Sequence, residues 1–238
     1  MFWGVSKMTE SLLTRNGKVL LDKLMQLPPD LHQLKDELER GIYTAKDVTT
    51  AAIQYLDNCA EEQAEESDPY TPLGTPTATP KLHSAYAFEL IQLLLHYGLD
   101  PNGVYDGSNV LWSLRYIDNG YIAADTLALL LEHGGKINLQ LDGDDLFSDI
   151  DFSVMFDAFN QENRQRYDAL VHLWFVCLGY GGVPKNGTAP VETFHGFDLR
   201  NLRDHHNFTF GLSWVPGHGE NWSLHIFDKH TLWEVARL

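Results

Sequence analysis

Apolar residues recur along most of this chain at three- and four-residue spacing, the period of helices that bury one face. Leucines at that spacing run over residues 11 to 27 and again over 30 to 40, where Leu31, Leu34 and Leu38 form one stripe; Pro28-Pro29 separates the two segments. Gly41 predicts a stop, and Thr44-Ala-Lys-Asp47 predicts a capped start for a helix to about residue 64 that buries Val48, Ala52, Ile53 and Leu56. Its tail, Glu61 to Glu66, sets carboxylates against the helix dipole and reads as a solvated, fraying end. Ser67 to Pro80 holds four prolines and five serines or threonines, so a long loop or linker is expected.

Helical spacing resumes with Phe88, Ile91, Leu94 and Leu95 and stops at Gly98. A short helix is expected from Asn109 over Leu111, Leu114 and Ile117, and a longer one over 121–133 with Leu127, Leu130 and Leu131 inward. Two more are expected, from Leu146 to about Phe159 and from about Asn163 to Leu178. Beyond Gly179 the period changes to two. Asn207 to Val215, Trp222 to Asp228 and Trp233 to Ala236 predict three strands of an antiparallel meander.

A ten-residue pattern occurs twice among these helices. Leu93-Leu94-Leu95-His96-Tyr97-Gly98-Leu99-Asp100-Pro101-Asn102 returns as Leu129-Leu130-Leu131-Glu132-His133-Gly134-Gly135-Lys136-Ile137-Asn138, 36 residues later. Asp106-Gly107 and Asp142-Gly143 supply matching turns, and Asn109 and Asp145 matching helix caps. Self-similarity at this period marks stacked-repeat proteins, in which each unit buries its apolar face against its neighbours.

These residues resemble the ankyrin-repeat family, whose unit has two antiparallel helices, a Leu-Leu-Leu-x-His-Gly-Ala-Asp-x-Asn ending and a projecting hairpin. The resemblance covers residues 82–145 best, 146–186 as a degenerate third copy with Gly181, Gly182 and Asn186 as a stretched ending, and 30–66 as a divergent N-terminal pair. Where the family opens its first helix with Thr-Pro-Leu-His, this chain has Asn109-Val-Leu-Trp112 and Asp145-Leu-Phe-Ser148. Asn and Asp cap a helix at least as well as Thr, so the helix start survives the change.

The expected architecture is therefore mainly α: N-terminal helices over 1–66, a loop over 67–81, an ankyrin-like helical repeat stack over 82–186, and a small C-terminal antiparallel β-meander cap over 187–238. The resemblance implies a non-catalytic protein that binds another protein through its hairpin fingers and the adjoining helix starts. The contact residues it points to are Tyr105, Asp106, Trp112, Arg115, Tyr116, Gln140, Asp142, Asp144 and Phe147. Trp112 also suits the groove between repeats.

Charge adds a direction. Lys and Arg number 17 against 33 Asp and Glu, for a net charge of −16 in 238 residues. That balance repels nucleic acid and anionic lipid and attracts basic partners, although acidity also serves solubility. Asp142, Asp144, Asp145, Asp149 and Asp151 concentrate it beside the second finger. An immunity protein or inhibitor that neutralises a basic toxin or nuclease is the more specific alternative.

Two isolated cysteines, Cys59 and Cys177, form neither a disulfide framework nor a zinc motif. The N-terminal ten residues lack a signal-peptide core, and the apolar run Leu170 to Leu178 is too short for a bilayer. A cytoplasmic monomer is expected. Asn138 to Asp149 scans as a calcium loop but offers Asn and Gln as first and third ligands and no bidentate Glu, so hairpin and cap explain it better. His205, His206, His218, His225 and His230 suggest a second alternative, a metal-dependent enzyme. No zinc-binding or hydrolytic spacing accompanies them, and no phosphate loop or dinucleotide fingerprint occurs. No catalytic residue, metal or cofactor is therefore expected.

Overall fold

The computed structural model describes residues 13–26, 30–66, 84–114, 120–141, 144–145, 164–182, 193–194, 197–214, 222–227 and 232–237. Seven α-helices lie among them: α1 (Arg15–Leu24), α2 (Leu31–Glu39), α3 (Ala45–Glu66), α4 (Ser84–His96), α5 (Val110–Ser113), α6 (Gly120–Glu132) and α7 (Arg164–Gly179). The expected helix over 146–159 lies outside the described residues, as does the Pro/Thr-rich segment 67–80. The helices pack in two rows. In one, α1 packs on α3 and α3 on α5; in the other, α2 packs on α4, α4 on α6 and α6 on α7.

The second row repeats one packing face. Ala87, Leu90, Ile91 and Leu94 are buried on α4, and Ala123, Thr126, Leu127 and Leu130, each 36 residues further on, are buried on α6. The first row is centred on α3, whose residues Asp47 to Ile53 are all buried. That segment lies between α1 and α5 and carries mostly small or β-branched side chains, which permit close approach on several sides. Of the two helices of the expected 30–66 unit, α2 stands in the row of α4 and α6, and α3 in the row of α1 and α5.

Each helix of the second row from α4 onward ends by the same device. Gly98, Gly134 and Gly181 take φ of +95°, +92° and +91°, a backbone region that L side chains rarely enter. The Gly98 N–H donates to Leu95 O and the Leu99 N–H to Leu94 O. The same pair of bonds runs from Gly134 and Gly135 to Leu131 and Leu130, and from Gly181 and Gly182 to Leu178 and Cys177. This is the Schellman stop, which satisfies the last carbonyls of a helix and turns the chain away.

After the stop comes a two-residue hairpin. β1 (Val104–Tyr105) pairs antiparallel with β2 (Ser108–Asn109) across Asp106 and Gly107, both at positive φ, the geometry of a type I′ turn. β3 (Gln140–Leu141) pairs with β4 (Asp144–Asp145) in the equivalent register. The four residues so paired lie within the segment that scans as a calcium loop. A third hairpin, β5 (Thr193–Phe194) with β6 (Phe197–Asp198), has the same register and lies beyond the segment 82–186. Its Asp198 accepts from the Arg200 N–H and caps a 3-10 helix, Leu199–Arg203, as Asn109 caps α5. The meander follows: β7 (Thr209–Trp214), β8 (Trp222–Phe227) and β9 (Leu232–Arg237), antiparallel in that order, with a bulge near Leu224 and His225.

Two polar networks hold the helix starts. Asn109 is fully buried; its Oδ1 accepts from the Leu111 N–H at 2.8 Å, and its Nδ2 donates to Pro101 O at 3.1 Å and Gly103 O at 2.6 Å. One amide thus caps α5 and fastens the preceding loop. At α3, the Asp47 N–H donates to Thr44 Oγ1 while Thr44 N–H and hydroxyl donate to Asp47 Oδ2, a reciprocal capping box. The Thr14 hydroxyl donates to the other oxygen of Asp47 and couples the start of α1 to that of α3.

Replacing Asn109 with Ala should cost about 2–4 kcal/mol, since it removes a cap and leaves two loop carbonyls without their donor. Urea unfolding measures it, and a loss under about 1 kcal/mol would contradict the network's role. For Asp47, burial pushes the carboxyl up, but the hydroxyl and amide donors of Thr14, Thr44 and Gly17 outweigh it and hold the pKa below the ordinary 3.8. The carboxylate therefore contributes stability above that value and loses it as the pH falls through the lowered one. Below pH 4 the stability of the wild type should fall more steeply with acid than that of Asp47→Asn, measured as urea midpoints.

Candidate functional site

The tip of the first hairpin is exposed because nothing in its two-residue turn can reach the core. Asp106 and Gly107 are exposed at the first tip, Val104 is 52% exposed on its strand, and Gln140 is exposed on the second. Tyr105 and Trp112 are half-buried and pack against the core, so each offers only part of its ring to solvent. Asp144 pairs through its backbone with Leu141. Arg115, Tyr116, Asp142 and Phe147 lie outside the described residues, as do Asp149 and Asp151. Val104 escaped the sequence reading, although its alternation with Tyr105 placed it on the outward face of the strand.

The fingers are held to one another. Asn102, in the loop before β1, donates from Nδ2 to Gly134 O at 2.8 Å and accepts at Oδ1 from the Lys136 N–H at 2.9 Å. It thus links the loop carrying the first finger to the stop that precedes the second. The residue before each stop reaches backward in two cases: Tyr97 OH donates to Glu39 and Tyr180 OH to Glu132. Burial and the Glu132 carboxylate push the Tyr180 phenol up to about 12, so it remains a donor.

A second constellation lies at the other end of the second row. His205 and His206 are consecutive in a 3-10 helix, Asp125 is on α6, and His172 is on α7. His206 Nε2 lies 2.8 Å from Asp125 Oδ1 and 3.1 Å from Oδ2, His205 Nε2 lies 3.0 Å from Asp125 Oδ1, and His205 Nδ1 lies 3.2 Å from His172 Nδ1. Tyr121, one turn before Asp125, stacks on His206 with ring centroids 5.5 Å apart and planes within 10°. His205 and His172 are buried, while Asp125 and His206 are open to solvent on one side.

Burial, reinforced by the neighbouring imidazoles, pushes His172 down to about 4 and also lowers His205, so both are neutral at pH 7. A neutral ring has one N–H, and that of His205 must sit on Nε2, where it faces a carboxylate. His205 Nδ1 is then an acceptor, and His172 supplies Nδ1–H. The result is a chain of donors, His172 to His205 to Asp125, with His206 donating to the same carboxylate. Of the five C-terminal histidines, the structure brings His205 and His206 together; His225 lies on β8, paired by backbone with Gly211 and Glu234, and His218 and His230 lie outside the described residues. His172 and Asp125 were missed because they come from other helices and no local spacing marks them.

Comparison with known protein families, with curated proteins and with solved structures finds no match to this chain. Asp125→Ala should cost about 1–3 kcal/mol by leaving the ring N–H of His205 without its acceptor in a buried setting. Chemical denaturation of the variant checks this, and unchanged stability would mean the carboxylate does not anchor the histidine pair.

Proposed function

We propose that the chain is an ankyrin-type scaffold that binds another protein through its hairpin fingers and performs no catalysis. One observation carries this reading: the fingers Val104–Asn109 and Gln140–Asp145 share one register, stand 36 residues apart, and are tied together by Asn102. Tied loops of this kind present a surface with little freedom left to lose on binding. The stop at Gly181, the hairpin Thr193–Asp198 and the cap at Asp198 support the same reading.

The partner's chemistry follows from charge. A net charge of −16 favours a protein with a basic face, and long-range attraction would speed its approach and weaken with salt. Neutralisation of a basic toxin or nuclease is one form such binding would take. Among the described residues no helix is long and apolar enough to cross a membrane.

The test places a photo-crosslinking residue at 104, 106 or 140, or on the exposed side of α2 at position 36 as a control, and captures partners at low and high salt. The expected outcome is a common basic protein captured from all three finger positions, absent from position 36, and reduced at high salt. Capture from position 36 alone, or no capture at either salt, overturns the reading.

A further inference from the structure

We propose that Asp125, His205 and His206 form a binding site for one divalent first-row transition-metal ion such as zinc, with His172 as the group that orients His205. This goes beyond the interaction surface and depends on none of its residues.

Geometry carries the proposal. The ligand atoms offered by the three residues all lie within 4.8 Å of one another. Bonds of about 2.0–2.2 Å from zinc to imidazole nitrogen and carboxylate oxygen in a tetrahedron place neighbouring ligand atoms roughly 3.3–3.6 Å apart. The two Nε2 atoms already stand 3.0 and 2.8 Å from Asp125 Oδ1. An ion could therefore take the place of the two ring protons with small side-chain movements.

The surroundings fit the same chemistry. A metal-bound imidazole usually has its second nitrogen held by a protein group, which fixes the ring. His205 is fully buried and its Nδ1 meets His172 Nδ1 at 3.2 Å. Asp125 and His206 are 39% and 50% exposed, so an ion would reach the site from solvent and keep open coordination positions for water. Two imidazoles and one carboxylate select zinc or its neighbours over magnesium, which prefers oxygen ligands.

Binding requires a shift of tautomer with no net change in protons. The N–H of His205 passes from Nε2 to Nδ1, where it donates to His172 Nδ1, and the His172 proton passes to Nε2. His206 likewise carries its proton on Nδ1 when Nε2 is bound. His205 and His172 remain neutral throughout.

The test uses untagged, full-length protein stripped with chelator and titrated calorimetrically with zinc chloride, then separately with magnesium chloride. The expected result is one zinc per chain and no magnesium heat. His206→Ala, at a half-exposed position, should weaken zinc binding at least tenfold; His32→Ala, on an exposed histidine of α2, should leave it unchanged. Nitrogen NMR of the histidine rings should show Nε2 of His205 and His206 becoming ligated and the His205 proton appearing on Nδ1. Absence of zinc binding by the folded wild type overturns the site. So does a His206→Ala variant that retains its circular dichroism and binds zinc as the wild type does.

Discussion

Everything in the helical rows depends on where a helix is allowed to end. A helix leaves its last carbonyls without partners, and a buried end must find donors for them. The chain solves this three times with a left-handed glycine followed by one more N–H, at Gly98, Gly134 and Gly181. Because the stop is geometric, it also sets the direction in which the chain leaves. The hairpins follow these stops, and Asn109 and Asp198 return the chain to a helical start through the same kind of side-chain cap.

Packing between the rows is consistent with that constraint. Gly98 lies 3.2 Å, as a notional Cβ, from the Ala45 methyl, and a Cβ on Gly103 would stand 2.4 Å from a methyl of Thr49. Thr49 also accepts the Asp100 N–H, so the loop after the stop rests directly on the first turn of α3. The region between Gly98 and Asn109 is thus short, polar and tightly seated. Within that stretch Asp100, Val104, Asp106 and Gly107 are the exposed residues.

Much of this was legible in the chain. The glycine stops, the Asp-Gly turn at 106–107 and the cap at Asn109 each rest on local backbone chemistry, so sequence spacing alone located them. The third hairpin was not legible for a physical reason: eleven residues separate Gly98 from Asn109, whereas seventeen separate Gly181 from Asp198. His195-Gly196 also stands between its strands in place of Asp-Gly. The His172–His205–Asp125 chain was hidden more deeply, because its members are 33 and 80 residues apart and meet only once α6, α7 and the 3-10 helix are packed. The pairing of α2 with α4 was similarly invisible, since α3 follows α2 immediately in sequence and stands between the two along the chain.

Asn102 has a mechanical consequence. Its amide bonds to the backbone on either side of Gly135, so the first finger's loop cannot slide relative to the second helix stop without breaking two hydrogen bonds at once. The pair of fingers then behaves as a graduated ruler, with a pitch set by one side-chain amide and the backbone it holds, and insensitive to which side chains decorate the tips. Substitutions at the tips leave that pitch unchanged, because neither bond involves a tip side chain.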